Sequence, residues 1–174
     1  MDDLRELSIL ESLDAVLRDE AIRSAIDPIA SQVEQELVQN RSALMAWQPV
    51  PLSVFVGEVP PGIQSSWVFI LRAEATTGAE RHPNSHQRVM SYRGFGDLQT
   101  MVDGQWRSSE LVSELQMPLL KRWESIPVSV WHQAVVPQQN WVVVSFHTVP
   151  AHELIEERPD PGNSDRLVRK NYAG

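Results

Sequence analysis

The sequence predicts a mainly β protein of the α+β kind, in which a small antiparallel barrel or sandwich follows an α-helical extension. Two patterns carry this prediction. Over roughly the first forty residues, apolar side chains recur at helical spacing, and over the remainder short apolar runs alternate with turn residues. The chain has 174 residues, a length at which one domain with a complete hydrophobic core is expected.

The N-terminal segment 1–46 is predicted to be helical. Its apolar residues fall at three- and four-residue intervals on one stripe, with charged residues between them. These residues are Leu4, Leu7, Leu10, Leu13, Val16 and Leu17. A second helix is predicted from Pro28 to about Leu44, because proline is tolerated in the first turn of a helix. The apolar stripe either packs on the β domain and covers its core, or forms a dimer contact with a second copy of the chain.

Residues 47–155 are predicted to form the β domain. Two prolines between Trp47 and Pro51 end the helical pattern and begin extended chain. Five consecutive large apolar residues, from Trp67 to Leu71, predict a strand that is buried on both faces or lies in a barrel wall. The predicted strands are 52–56, 66–73, 89–92, 98–102, 126–130 and 141–146, and the last two are expected to pair.

The remaining segments are predicted from their turn residues and charge. Asp103-Gly104 is a two-residue hairpin signal between strands. Residues 109–123 fit a short helix interrupted at Pro118 or an irregular stretch, and they are treated as a connection. The charged, proline-containing residues 156–174 are typical of an exposed or mobile tail.

Composition excludes several classes of partner and site. The formal net charge is −8, which disfavours nonspecific binding to nucleic acid or to an anionic membrane. There is no cysteine, so a metal site must use nitrogen and oxygen ligands. The N-terminus carries acids where a signal peptide needs bases, and no apolar run approaches the ~18 residues of a membrane span. We therefore expect a soluble, cytoplasmic protein.

The densest ligand chemistry in the chain lies at residues 80–87. Glu80 and His82 are two apart, so in a strand they point to the same side. A loop or the next strand can bring His86 or Gln87 to the same place. A metal ion needs at least three ligands, and His132, at the start of a returning strand, is the candidate from far along the chain.

This stretch resembles the first sequence motif of the cupin superfamily. That motif reads H-x-H, then three or four residues, E, six residues and G. The chain has Glu80-x-His82, four residues, Gln87, six residues and Gly94. The spacing matches throughout, and the residue type departs at Glu80 and Gln87.

The second cupin motif, P-x-G-x-x-H, resembles the stretch from Pro127 to His132, with Ser129 in the glycine position. Val136 stands where the family has an asparagine. The resemblance covers about 52–147 and leaves the N-terminal helices and the tail unexplained. It implies a small antiparallel jelly-roll barrel.

The resemblance also implies one divalent metal ion, which the family holds with three histidines and a glutamate. In this chain the corresponding set is Glu80, His82, Gln87 and His132. Two imidazoles and one carboxylate suit Fe(II), Ni(II), Mn(II) or Zn(II), with positions open to water and substrate. His86 leaves an alternative, because the turn before it could bring it inward to form a three-histidine centre.

Three further residues are candidates for the pocket. Trp131, next to His132, either packs behind the metal or walls the pocket. Tyr92 and Arg93 are candidates for binding a small anion. His147 alternates with Ser145 in a predicted strand and is interpreted as a strand histidine.

Two functions from different classes remain open, beside a purely structural dimer with a vestigial pocket. The first is a metal-dependent enzyme, an oxygenase or isomerase, acting on a small organic molecule. The second is a non-catalytic cupin that binds or senses a small molecule with a degenerate metal site. The family resemblance favours a homodimer, and the sequence does not choose the substrate or the metal.

Overall fold

The structure, a computed structural model, describes residues 2–172 and begins with two helices, α1 (Asp2–Arg18) and α2 (Glu20–Gln39). Asp19 separates them, and its carboxylate accepts hydrogen bonds from the backbone N–H groups of Ala21 and Ile22, at 2.9 and 3.0 Å. This cap satisfies two of the free N–H groups at the start of α2. The predicted start at Pro28 is therefore wrong.

Pro28 lies on the exposed side in the interior of α2. A proline there removes one backbone hydrogen bond and leaves a carbonyl without its helical partner. Solvent can hydrate that carbonyl on an exposed helix face, which explains why the helix continues through this position. Neither helix in the described part of the chain has the length and hydropathy needed to cross a lipid bilayer.

Eleven strands follow among the described residues. They are β1 (Met45–Val50), β2 (Ser65–Leu71), β3 (Gln87–Arg93), β4 (Phe95–Val102), β5 (Gln105–Arg107), β6 (Glu110–Val112), β7 (Trp123–Ile126), β8 (His132–Val135), β9 (Trp141–His147), β10 (Ile155–Asp160) and β11 (Asn163–Asn171). Short 3-10 turns lie at Leu52–Phe55, Leu119–Lys121 and Ala151–Glu153.

The strands form two antiparallel sheets and a hairpin. The larger sheet has the order β1-β2-β9-β3-β7. In the smaller sheet β4 is central, since Asp97 pairs with Glu110 of β6 on one edge and with Val135 of β8 on the other. The hairpin consists of β10 and β11. The mainly β class with N-terminal helices is confirmed, although the two sheets do not close into a continuous barrel.

The molecule has three layers, because the five-stranded sheet is buried on both faces. Val68 and Ile70 of β2 belong to the core shared with the helices, whereas Phe69 and Leu71 belong to the core shared with the smaller sheet. This alternation explains the uninterrupted apolar run in the sequence. The apolar stripe of α1 covers the sheet: Leu10, Leu13, Val16 and Leu17 are all buried in the first core.

Two strand predictions are wrong in position or partner. Residues 52–55 form a 3-10 turn, and the strand comes earlier, at β1. Residues 127–131 separate β7 from β8, so the predicted pair of 126–130 with 141–146 does not form. β9 pairs instead with β2 and β3 in the centre of the larger sheet. Such crossovers join strands that are distant in sequence, which local patterns do not specify.

The C-terminal segment is also different from its prediction as a charged tail over 156–174. It forms the hairpin β10–β11 through Asn171, with a turn at Pro161-Gly162, and Tyr172 is buried. The charge of this segment does not prevent its packing, because its buried glutamates are paired with cations. Glu157 of β10, for example, pairs with Arg81 and Arg169. Residues 173 and 174 lie outside the described part of the chain.

Candidate metal centre

Glu80 and His132 face each other across an antiparallel bridge. The N–H of Glu80 donates to the carbonyl of His132 at 2.9 Å, and the N–H of His132 donates to the carbonyl of Glu80 at 2.8 Å. Directly opposed residues of an antiparallel pair project to the same face. Their side chains therefore meet, with Glu80 Oε1 3.4 Å from His132 Nε2.

His82 reaches the same place from two residues further along. One ligand atom from each of Glu80, His82 and His132 lies within 4.8 Å of the others, and the two imidazole ring centroids are 5.5 Å apart. Glu80 and His82 thus point to the same side, as the two-residue repeat of extended chain predicts from the sequence. Both histidines are buried, each with 3% exposed.

Backbone carbonyls orient the two imidazoles. Nδ1 of His82 lies 2.8 Å from the carbonyl oxygen of Ile155, and Nδ1 of His132 lies 3.1 Å from that of Val130. A carbonyl oxygen only accepts hydrogen bonds, so each Nδ1 carries a hydrogen, and in the neutral form of the ring Nε2 presents its lone pair. Histidine ligands of metals are typically held in this way.

The arrangement places acceptor atoms against one another. Nε2 of His132 is buried without a hydrogen-bond partner, and in the neutral ring its lone pair lies opposite the Glu80 carboxylate at 3.4 Å. Two acceptors at this distance repel unless a positive charge lies between them, either a proton on the ring or a metal ion. The nitrogen and oxygen donors present fit a divalent first-row metal ion.

The Glu80 carboxyl is ionised in spite of its burial. Burial by itself raises its pKa, but the hydrogen bond and charge that His132 supplies when its ring is protonated, together with the charge of Arg158, outweigh this effect and lower the pKa to about 2. Burial and the neighbouring charge of His132 lower the pKa of His82. The centre therefore combines an anionic carboxylate with an imidazole that is neutral near pH 7, the protonation states that a metal ion requires.

The side chains of the neighbouring residues Gln87 and His86 point to opposite sides of the larger sheet. Gln87 and Val89 face the space between the sheets, where Gln87 lines the same cavity as Glu80 and His132. His86 and Arg88 face the helices: Nε2 of His86 lies 2.7 Å from the hydroxyl of Ser125. The structure thus brings the four cupin-motif positions together and does not assemble the three-histidine alternative that includes His86.

The cavity is small and mostly apolar. It lies between the sheets, and the space open to the centre of a water-sized molecule is about 40 Å³, which is room for about three waters. Its apolar wall is formed by Met45, Phe69, Leu71, Val89, Leu98, Ala134, Trp141 and Val143. The carboxamide oxygen of Gln87 is buried there without a hydrogen-bond partner, so it is available to a ligand.

The three residues predicted for the pocket lie elsewhere. Trp131 stacks with the guanidinium of Arg81, 4.7 Å from the ring centroid. The hydroxyl of Tyr92 donates to Asp27 of α2 at 2.8 Å, and Arg93 is half exposed on the same side. Tyr92 lies in a β bulge between Ser91 and Arg93. Tyr92 and Arg93 both face the helical layer and do not line the cavity.

Two further residues lie beside the centre, and one of them, Tyr172, was missed in the sequence. Tyr172 is buried, and its ring contacts His82, with the centroids 5.9 Å apart. His147 is fully buried, and its ring lies 5.2 Å from that of His82. Both nitrogens of His147 are within reach of the hydroxyls of Ser85 and Ser145, at 3.3 and 3.1 Å, which agrees with its interpretation as a hydrogen-bonded strand histidine. No local signal marks Tyr172, because its neighbours are distant in sequence.

No sequence profile of a known protein family matches this chain, and no curated protein sequence does. Solved structures do match in fold. The crystal structure of pumpkin seed globulin superposes with a TM-score of 0.50 and 15% identity over 66% of this chain and 28% of the globulin.

Two enzymes give lower scores. Oxalate decarboxylase from Lactobacillus farciminis, solved as its formate complex, matches with a TM-score of 0.47 and 11% identity over 62% of this chain and 29% of that chain. Oxalate oxidase in complex with the substrate analogue glycolate matches with a TM-score of 0.46 and 17% identity over 63% of this chain and 54% of that chain. This chain spans less than a third of the globulin and decarboxylase chains.

The likeness to the globulin shows that this chain has a similar fold, in agreement with the cupin fold that the two motifs predicted. At these identities the likeness defines the fold alone. What distinguishes this chain within that fold is its own donor set of one carboxylate, two imidazoles and a carboxamide at the four motif positions.

Proposed function

We propose that this chain binds a divalent first-row metal ion through Glu80, His82 and His132, and that it acts on a small organic molecule at that centre. The observation that carries the proposal is the buried, unpartnered Nε2 of His132 opposite the ionised carboxylate of Glu80. A buried pair of acceptors is costly without a cation. A metal-dependent oxygenase or isomerase is the enzyme class that this donor set suits.

The residues of the chain have separate roles in this proposal. Glu80, His82 and His132 hold the ion, and the carbonyls of Ile155 and Val130 fix the two imidazoles so that Nε2 points inward. The apolar wall excludes bulk water, and Gln87 offers an amide to a ligand beside the ion. A bound divalent ion would supply a Lewis acid with positions open to substrate.

Metal analysis tests the proposal directly. Wild-type protein is incubated separately with Fe(II), Ni(II), Mn(II) and Zn(II), desalted, and analysed for bound metal. We expect about one equivalent of at least one of these metals, and we expect His82→Ala and His132→Ala to lose it.

The matched controls are histidines outside the centre. His152 is exposed and His86 faces Ser125, so His152→Ala and His86→Ala should retain the metal. Wild-type protein that binds none of the four metals would reject the proposal. Equal loss in the His86 and His82 variants would reject the assignment of the ligands.

A second function is favoured by the size of the cavity. With room for about three waters, the centre also suits a non-catalytic protein that senses a small ligand. Thermal unfolding in the presence of a chelator distinguishes the two, because stabilisation by an organic ligand without metal supports sensing. The small-molecule ligand and the homodimer are both parts of this proposal, and size-exclusion chromatography with light scattering tests the dimer.

A further inference from the structure

A second cleft, of about 600 Å³, lies on the helical side of the larger sheet, between α1 and the strands β3 and β7. Its charged side chains are those of Arg5, Glu6 and Arg88, and the side chains of His86 and Ser125 lie beside them. Among the described residues, none lines both this cleft and the inner cavity of the candidate metal centre. The cleft is therefore separate from that centre.

Arg88 has an unused edge of its guanidinium. Its side chain is only 7% exposed, and its Nε and Nη2 each donate to the carboxylate of Glu6 at 2.7 Å. A guanidinium has five N–H donors, so both hydrogens of Nη1 and the second hydrogen of Nη2 are left over. In the described part of the chain Nη1 has no hydrogen-bond partner, and it is not sealed from solvent. A carboxylate can therefore bind Arg88 without displacing Glu6.

The hydrogen bonds of His86 fix its tautomer. The hydroxyl oxygen of Ser125 lies 2.6 Å from Oε1 of Glu6 and 2.7 Å from Nε2 of His86. A carboxylate only accepts, so Ser125 donates to Glu6, and Nε2–H of His86 donates to Ser125. Burial and the charge of Arg88 outweigh the charge of Glu6 and lower the pKa of His86, so near pH 7 the ring is neutral and Nδ1 presents a lone pair. Nδ1 has no hydrogen-bond partner among the described residues and is also open to solvent.

We propose that this cleft binds a 2-hydroxycarboxylate, whose carboxylate takes the unused edge of Arg88 and whose hydroxyl donates to Nδ1 of His86. His86 directly precedes β3 and Arg88 is the second residue of that strand, so both side chains face the cleft. Two residues of extended chain span about 6.6 Å, which a carboxylate and its neighbouring hydroxyl bridge with one hydrogen bond at each end. Arg5, Arg88 and Glu6 give the cleft a formal charge of +1, which suits a monoanion. The site needs no metal ion.

The test compares lactate with propionate, which lacks the hydroxyl, and with lactamide, which lacks the charge. Each is titrated into metal-free protein in the presence of a chelator, and binding is followed by the backbone amide signals in NMR. The wild type should bind lactate roughly fivefold more tightly than propionate, because propionate loses one hydrogen bond. Lactamide should bind at least roughly tenfold more weakly than lactate. The signals that shift should include those of Arg5, Gly62 and His86, which line the cleft, and not that of His132.

Two variants separate the roles of the two side chains. His86→Ala should bind lactate only as tightly as propionate and leave the affinity for propionate unchanged, whereas Arg88→Gln should weaken both acids at least roughly tenfold. The matched controls are His152→Ala and Arg93→Gln, at side chains 76% and 51% exposed that do not line the cleft, and both should bind like the wild type. Circular dichroism verifies folding. The wild-type comparison and His86→Ala stand even if Arg88→Gln, which leaves Glu6 without its partner, does not fold.

Each contrary outcome rejects a stated part of the inference. A wild type that does not bind lactate, or that shifts only signals of the inner cavity, rejects the site. Equal affinity for lactate and propionate rejects the hydroxy acid as the ligand class. A preference for lactate that persists in His86→Ala rejects the role of His86, and acid binding that is unchanged in Arg88→Gln rejects the role of Arg88. All of these measurements use metal-free protein, so none of their outcomes decides the proposed metal site.

Discussion

At the scale of single residues, the centre depends on the choice of side chain at two motif positions. Glu80 supplies the carboxylate in the place where the cupin motif has a histidine, and Gln87 supplies a neutral amide where the motif has a glutamate. The oxygen of that amide is buried without a hydrogen-bond partner. A neutral carboxamide is a weaker ligand than a carboxylate, so we expect the residue at position 87 to affect how tightly the proposed centre holds a cation.

Gln87→Glu should therefore change metal affinity and stability in opposite directions. We expect metal to bind roughly tenfold more tightly, because a second carboxylate faces the ion. Without metal, the unfolding free energy should fall by about 1–3 kcal/mol, because the new carboxylate is buried and unpaired. Chelator competition and urea denaturation measure the two quantities. Gln139→Glu, at an exposed position, should change neither, and an unchanged metal affinity in Gln87→Glu would place residue 87 outside the metal's reach.

At the scale of elements, buried ion pairs attach the helices and the hairpin to the sheets. Asp14 of α1 accepts hydrogen bonds from the guanidinium of Arg122 and from Trp123 Nε1, the latter at 2.8 Å. The side chain of Arg122 is 2% exposed. This pairing holds α1 against β7 in a region where the sequence showed only a connection.

The Asp14 pairing predicts a loss of stability at acid pH. Burial raises the pKa of Asp14, but hydrogen bonds from Arg122, Arg18 and Trp123 outweigh it, and the net pKa is lowered. A carboxyl with a folded pKa below its unfolded value, about 3.9, stabilises the fold above that value and loses its contribution as pH falls through the folded pKa. Part of the wild-type stability should therefore disappear below about pH 5.

Asp14→Asn tests this pairing. At pH 7 the variant should lose about 3 kcal/mol of unfolding free energy, because the buried Arg122 remains without its anion. The difference from the wild type should shrink between pH 5 and pH 2, as measured by urea denaturation across that range. Asp103→Asn, at a side chain 92% exposed, should follow the wild type. A difference that stays constant with pH would show that the charge of Asp14 is not what attaches α1.

At the scale of the whole molecule, the five-stranded sheet is shared by both cores. The helices pack on one of its faces, and the candidate centre lies against the other, between the two sheets. Because each strand of this sheet contributes to both cores, loss of one core removes a wall of the other. The three layers are therefore expected to unfold as one cooperative unit.

Metal binding should consequently stabilise the helices as well as the centre. At a free metal concentration 100-fold above Kd, the added unfolding free energy is about 2.7 kcal/mol, which corresponds to a rise of roughly 5–10 °C in the unfolding midpoint at this chain length. Circular dichroism of the helices and tryptophan fluorescence should shift together. His132→Ala should show no shift with the same metal, and a shift confined to fluorescence would show that the helices unfold independently.

Much of the local structure and half of the geometry of the centre could be predicted from sequence. The period of two placed Glu80 and His82 on one side, where both meet His132. The motif spacing pointed to Gln87 and His132, which line one cavity together with Glu80. The inward turn of His86 was the wrong alternative, because His86, immediately before β3, faces the helices, with its Nε2 3.6 Å from Glu6 of α1. Pairing of β9 with β2 and β3, and the start of α2 at Asp19, depended on contacts that local patterns do not contain.

The sequence by itself determined the helical and β regions and the chemical character of the centre, because periodicity and motif spacing are local properties of the chain. Only the tertiary structure decided what surrounds that centre. Residues 156–174 look like a charged tail in sequence, yet the described part of this segment brings Arg158 onto Glu80 across 78 positions and Tyr172 onto His82. The reason is physical: charged residues become structural when distant partners neutralise them, and those partners are known only once the strands are paired.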